Sequence, residues 1–468
     1  MNYPLWVVPT LGGTWVIGII SIIHVFISHF AVGGGIFLAV AENLAYKKQD
    51  DKMYDFLKRH SRFFVLLTTV AGAVTGVGIW FSVSLVSPDG LASLIQSFTL
   101  AWAEEYLFFV AEIATAIAYY YTWDKITKKQ HLLLANLYAV FSVFTLVIIN
   151  GILTFMLTPS RWLETHNWLD GVFNATYWPS LAVRLLIMLA IAGMYALVTS
   201  SRIEETRFRV FMVRYCAKWL LPVFFLGPIC TIWFLTQVPQ STLTTIFTGI
   251  QNSGVGNFSI LARALYTSLV LSGTILLFAF FGPYLNPKGF TFRIALLFMI
   301  CGLAATGTTE WMREMLRKPY VIYGYMYSNG IHKDQIADLQ KAGFLSQGVW
   351  AHALTEGNAD DIKKGEMIFR YQCMACHTET GYRSMRKLLG SRDEEAICNF
   401  LQILKETDKT KNNYANIMPP LAVTEPELKY LAKYLATIND NGKLETAHKF
   451  NSKPVLVQST AKPGDNLH

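Results

Sequence analysis

The sequence predicts an all-α fold: a polytopic membrane helix bundle of about eight transmembrane helices, followed by a small all-α outer domain. Three observations lead there. The 468 residues are 53% hydrophobic and 14% aromatic but only 15% charged, whereas soluble domains carry about 25% charged residues. Apolar runs long enough to cross a hydrocarbon core of about 30 Å recur over residues 14–45, 63–86, 93–122, 132–157, 178–199, 218–238, 262–284 and 291–312. Beyond about residue 345 the composition turns abruptly polar. The expected organisation is a membrane domain over 1–325, a linker over 326–358, an outer domain over 359–440 and an extended or disordered tail over 441–468 without periodicity. The opening MNYPLWVVPTLGG has neither a basic region nor a small-residue cleavage site, so no removable signal peptide is expected.

The loops supply an orientation. Segments after the first, third, fifth and seventh runs are basic (KKQDDKMYDFLKRHSR, DKITKKQH, SRIEETRFRVFMVRYCAK and NPKGFTFR). Those after the second, fourth and sixth are nearly free of Lys and Arg, Arg161 being the exception. Basic loops stay cytoplasmic, so both termini and the outer domain are expected on the periplasmic face of a bacterial inner membrane. The net charge of +8 is then a topology signal and not a nucleic-acid-binding surface.

Titratable residues inside spans are costly and therefore candidates for function. The first run, IISIIHVFISHFAVGGG, carries His24 and His29. Five residues is about 140° of helical rotation, so the two cannot share one haem face. His24, near the outer end, reads as a ligand to a haem b iron or as a histidine bonded to a neighbouring helix. His29 reads first as a helix–helix hydrogen bond and second as an iron ligand. Gly33, Gly34 and Gly35 permit close approach of another helix or of a porphyrin. The third run holds Glu104, Glu105 and Glu112 among aromatics. Glu105 and Glu112 lie nearly in line, while Glu104 is about 80° from Glu112. Such carboxyls pass protons or, when protonated, tie helices together. Arg184 in the fifth run and Arg263 in the seventh either pair with haem propionates or snorkel to the interface.

The outer domain opens with an amphipathic segment ending in RYQCMACHTETG. Cys373 and Cys376 stand one helical turn apart, as two thioether links to a haem require, and His377 follows to ligate the iron. Met418 in YANIMPPLA is the expected sixth ligand, or else a core methionine, and EPELKYLAKYLATI closes the domain. One covalent haem c is expected. Cys216, Cys230, Cys301 and Cys398 have no disulfide or zinc spacing.

Across roughly residues 10–325 the pattern resembles subunit I of the cytochrome bd oxygen reductases. His24 lies nine residues before Gly33 and eighteen before Glu42, matching that family's haem histidine, glycine and glutamate. Glu104 and Glu112 fall at its two buried glutamates, eleven residues before the Trp-Asp of TWDK, and LRKPYVIYG (Arg317, Pro319, Tyr320) is similar to its Gly-Arg-x-Pro-Trp segment. The resemblance implies one or more b haems, a proton route through Glu104 and Glu112, and a second polytopic subunit in a hetero-oligomer. A haem d is allowed by it but no residue here supports one. The departures are informative. Ile187, with Met188 beside it, and Leu265 stand where the family has further haem ligands, and Gly307 where it has a glutamate. Glu310, one turn away, is the alternative iron ligand. The family's long quinol-binding loop is replaced by QSTLTTIFTGIQNSGVGNFS, and its ninth helix by the outer domain. The expected role is electron transfer between the outer haem c and membrane haem b or partner subunits, with periplasmic cytochromes or other redox proteins as partners. Two alternatives stand: a cytochrome c-linked bd-like oxygen reductase, and a quinol-oxidising subunit that delivers electrons to the c haem.

Overall fold

Where water is absent, a helix is the segment that satisfies every backbone N–H and C=O by itself, and the apolar runs fold accordingly. The computed structural model describes residues 3–243, 257–356, 359–408 and 410–451. Eight long helices follow in order: α1 (Gly13–Lys48), α2 (Asp51–Val86), α3 (Thr99–Tyr121), α4 (Lys128–Phe155), α5 (Tyr177–Ser200), α6 (Thr206–Gln237), α7 (Arg263–Tyr284) and α8 (Phe292–Leu316). Seven of them, all except α3, are long and apolar enough to cross a membrane. With 23 residues α3 spans about 34 Å, but Glu104, Glu105 and Glu112 dilute its apolar character. The eight spans expected from sequence thus become seven strongly apolar helices and one carboxyl-bearing helix.

Local chemistry sets several boundaries. Asp50 accepts from Met53 N at 3.1 Å to start α2. Thr127 and Gln130 cap α4 reciprocally, satisfying N–H groups that a helix leaves open. At the centre, α1 packs against α2, α4, α5 and α8. Gly33 makes the α1–α5 crossing possible: a Cβ there would lie 2.1 Å from the Met188 carbonyl oxygen. The expected alternatives for the Gly33–Gly35 run were a helix or a porphyrin, and at Gly33 the neighbour is a helix. Aromatic rings fill the interior beside it, with Phe30 stacked on Tyr195 at 3.9 Å.

Past α8 the chain makes a two-stranded antiparallel hairpin, β1 (Tyr320–Ile322) with β2 (Met326–Tyr327). Of the stretch 326–358, expected as a linker, the described residues 326–356 are packed structure. Tyr327, Ile331, Ile336, Leu339 and Ala422 form a small core, and the segment contains α9 (Ile336–Ala342), α10 (Phe344–Gln347) and α11 (Val349–Thr355). Polar composition hid this, because a short helix needs only one or two apolar anchors, here Phe344 at 0% exposure. The outer domain proper consists of α12 (Asp361–Gln372), α13 (Met385–Leu389), α14 (Glu394–Lys405) and α15 (Glu425–Asn451). Helices α12 and α15 meet through Phe369 and Tyr434, with ring centroids 5.6 Å apart. Helix α15 runs to Asn451, into the stretch expected to be an unstructured tail, while 452–468 lie outside the described residues. Most of the short stretch between α6 and α7 (244–256) also lies outside them.

One buried carboxylate joins the two parts of the outer region. Glu427 accepts from Phe344 N at 3.0 Å, Leu345 N at 2.7 Å and Thr424 N at 2.8 Å. These charge-assisted bonds serve the open N-termini of α10 and α15 together. Replacing Glu427 with Ala is expected to cost about 2–3 kcal/mol, read as a lower thermal midpoint of the outer domain in the full-length protein. An unchanged midpoint would show that the carboxylate is not what holds this join.

Candidate functional site

Helix α12 ends on the attachment motif. Cys373 caps it, its N–H bonded to Phe369 O at 2.9 Å, and one further turn brings His377 N to Cys373 O at 3.0 Å. Both thiols are free cysteines. His377 Nδ1 donates to Arg383 O at 3.1 Å, so Nε2 keeps the lone pair that an iron would take. Burial lowers the His377 pKa below the usual imidazole range and keeps it neutral, the form that ligates metal. Burial also pushes the Cys373 thiol up to about 12. Met418 is half-buried on the turn before Pro419 and Pro420, its N–H bonded to Tyr414 O at 2.8 Å. The motif residues therefore suit a covalent haem: two cysteines on one turn and an oriented, neutral histidine.

This motif rests on the bundle. Thr14 Oγ1, in the first turn of α1, donates to Ala375 O at 2.5 Å, and Tyr382 N donates to Thr10 O at 2.9 Å. Trp15 lies edge-on to both Tyr382 and Trp311 of α8, with centroids 5.6 Å apart in each pair. The N-terminal end of α1, the C-terminal end of α8 and the motif therefore share one side of the molecule.

Nine residues along α1 from Trp15, about 13 Å of helix, stands His24. Its Nδ1 is 3.1 Å from Thr75 Oγ1. The Thr75 hydroxyl gives its own proton to Ala71 O at 2.7 Å or Gly72 O at 3.1 Å. It therefore accepts from Nδ1–H, and His24 Nε2 carries the free lone pair. A haem b iron suits that nitrogen. His29 Nδ1 donates to Val25 O at 2.6 Å within its own helix, so the interhelical bond expected for it is replaced by an i−4 carbonyl. His29 interacts electrostatically with Arg184 of α5 and Glu310 of α8. Glu310 is paired with Arg313 at 2.9 Å, so its carboxylate has an engaged partner on its own helix. Arg184 Nε is buried without a hydrogen-bond partner among the described residues. A propionate oxygen would satisfy such a donor, and this fits Arg184 to the role expected of it. Arg263, by contrast, is exposed at the start of α7.

The carboxyls of α3 divide between two faces. Glu112 is buried and accepts from Tyr138 OH at 2.9 Å. Glu105 is half-buried and Glu104 exposed. Glu104 was expected to be buried, but its 80° offset from Glu112 turns it outward, and the residue in line with Glu112 is Glu105. A second cluster lies deeper toward the basic loops. Glu42, at 0% exposure, bonds His131 Nδ1 at 2.7 Å and accepts from Tyr119 OH at 2.8 Å, while His131 Nε2 donates to Tyr119 O at 2.9 Å. His131, Tyr138, Arg313 and Trp15 escaped the sequence reading. A seven-residue spacing could have found the first two: Glu105, Glu112 and Tyr119 form one stripe of α3, and His131, Tyr138 and Thr145 form one stripe of α4.

A bundle of apolar helices enclosing paired histidines, carboxylates and guanidinium groups defines a multi-pass helical membrane protein with a sealed polar interior. Residues 14–234, nearly half the chain, match the family model for cytochrome bd terminal oxidase subunit I. Among solved structures the chain is similar to the bd oxidase from Geobacillus thermodenitrificans, with a TM-score of 0.56, 16% identity, and coverage of 67% of this chain and 88% of that one. No curated protein sequence matches. The membrane part thus has the bd oxidase fold.

The Glu42–His131 pair has no solvent to fall back on. Replacing His131 with Ala is expected to cost about 3–5 kcal/mol, because Glu42 would be buried with one oxygen unpaired. Thermal stability of the solubilised protein, followed by size-exclusion recovery, checks this, and full recovery at the wild-type temperature would contradict it.

Proposed function

We propose that this chain carries electrons between a covalent haem c in its outer domain and a haem b in its membrane domain, as one subunit of a hetero-oligomeric respiratory complex. The observation behind this reading is the seating of the Cys373–His377 motif on the first turn of the helix that bears His24. When bound, the haems supply reversible one-electron chemistry at iron, and the residues supply the rest. Cys373 and Cys376 anchor the outer haem by thioethers. His377 Nε2 and the Met418 sulfur would hold its iron, and a thioether ligand would favour the reduced state. His24 Nε2, oriented by Thr75, would hold the haem b, and Arg184 would meet a propionate. His29 and Glu310 are engaged by Val25 O and Arg313, which supports a positioning role over iron ligation. The basic loops support a cytoplasmic side opposite the motif, and so a periplasmic haem c accessible to soluble cytochromes.

A second reading, a cytochrome c-linked bd-like oxygen reductase, is favoured by the sealed Glu112–Tyr138 pair. A carboxyl in a dry interior with one phenol donor can hold and release a proton, as reduction of oxygen requires. In this reading Glu112 and Glu105 form the inner proton route, and Glu104 faces a partner subunit.

Haem quantitation with redox difference spectra tests both readings. One haem c and at least one haem b per chain are expected. His24→Ala should remove one b signal and leave the c signal intact, and a surviving b spectrum would refute the ligand assignment. A carbon monoxide-reactive haem with oxygen uptake from reduced cytochrome c would select the second reading.

A further inference from the structure

The contact between the outer domain and the bundle is built more tightly than a tethered carrier needs. Three observations converge on it. The loop Thr378–Arg383 carries both the docking surface and the support of the haem ligand. Tyr382 N is bonded to Thr10 O at 2.9 Å, and the next residue's carbonyl, Arg383 O, accepts from His377 Nδ1 at 3.1 Å. The same loop is braced internally, with Gly381 N donating to Thr378 Oγ1 at 2.8 Å and Thr378 Oγ1 to Tyr382 O at 2.9 Å. Second, the two surfaces meet backbone to backbone: a Cβ on Gly381 would stand 1.8 Å from Thr10 O. Third, the covalent connection is not slack. Between α8 and α12 the described chain is packed through Ile331, Ile336, Leu339 and Phe344, which leaves little free length for a swinging domain.

At the centre of this contact the rings of Tyr382, Trp15 and Trp311 form an unbroken aromatic junction, each neighbouring pair 5.6 Å apart and edge-on. Tyr382 is five residues past the iron-binding histidine, and Trp15 is on the helix of His24. Thr14, beside Trp15, bonds the carbonyl of Ala375 inside the motif itself.

We propose that the outer domain works while docked, and that electrons cross between it and the membrane domain at the Tyr382–Trp15–Trp311 junction. The inference rests on the electron-transfer reading above and adds the place of crossing and the fixed geometry. The step is a single electron leaving ferrous haem c and reducing a ferric membrane haem, or the reverse. No bond forms or breaks, and no proton is required. Trp15, Trp311 and Tyr382 act as positioning residues that close the gap, and Gly381 acts by allowing the approach. A further consequence is that an external one-electron donor must approach the haem c from a side away from Thr10 and Trp15, since that side is already covered.

The test uses the full-length, haem-loaded chain. Haem content, midpoint potentials and the rate of electron equilibration between haem c and haem b after photochemical reduction are measured for wild type, Trp15→Leu, Trp15→Phe and Gly381→Val. Trp15→Leu is expected to keep both haems and both potentials while slowing equilibration on the order of tenfold or more, a response typical of ångström-scale misplacement. Trp15→Phe should recover most of the rate. Gly381→Val should undock the domain, seen as new trypsin cleavage after Arg383 in the docking loop, and should slow equilibration further. Unchanged rates in Trp15→Leu and Gly381→Val, with both haems present, would overturn the inference while leaving the electron-transfer reading standing. Absence of haem b from wild type would overturn the electron-transfer reading itself, and the inference with it.

Discussion

The constraint on which everything else depends is the absence of water in the membrane interior. There a polar group left without a partner costs several kcal/mol, so each one must be absorbed by backbone or by a neighbour. The backbone meets this by forming helices. The side chains meet it in closed sets: Glu42 with His131 and Tyr119, Glu112 with Tyr138, Glu310 with Arg313. Against that rule the exceptions are informative. Arg184 Nε has no partner among the described residues although it sits near Glu310, and His24 Nε2 retains its lone pair because Thr75 has spent its proton on a carbonyl. Among the described residues five further buried atoms share the condition of Arg184 Nε: Tyr54 OH, His60 Nε2, Trp162 Nε1, Arg209 Nε and Tyr215 OH.

The same logic organises the seam between the two parts. On the outer side polar groups have water to turn to, so the chain need not seal them. Even so, the Ala375 and Thr10 carbonyls are both taken up by groups across the contact. The glycine at position 381 removes the one side chain that would hold the backbones apart. Two modules of opposite composition, one apolar and one polar, are joined by hydrogen bonds and aromatic edges.

Much of this was legible in the sequence. The apolar runs mark all eight long helices because the bilayer demands about 20 apolar residues per crossing. The carboxyl-bearing run of α3 was visible as a stretch among aromatics, although its three glutamates lower it below the other seven. The Cys373-to-His377 motif was legible because its three residues lie within five positions of the chain. Less visible were residues whose meaning depends on a partner far along the chain. Glu104 and Glu105 are adjacent in sequence, yet only one faces Glu112. Arg313 and His131 look like ordinary charges at helix ends until α8 and α4 are placed against their neighbours. The packed segment 326–356 reads as linker in sequence because its apolar residues are few and widely spaced, and they become a core only when Ala422 and Glu427 arrive from nearly a hundred residues away.

By itself, then, the sequence determined the class of molecule, the number and order of its long helices and the position of the Cys-Met-Ala-Cys-His motif. Each follows from short-range rules of hydropathy, charge asymmetry and motif spacing that need no folded partner. Which titratable groups pair, which nitrogen of His24 stays free, and the seating of the motif on Thr14 and Trp15 were decided only by tertiary structure. Those outcomes depend on how helices rotate about their axes and how closely they approach, and both are settled by packing between segments far apart in the chain, from His24 and Thr75, 51 residues apart, to Thr14 and Ala375, 361 apart.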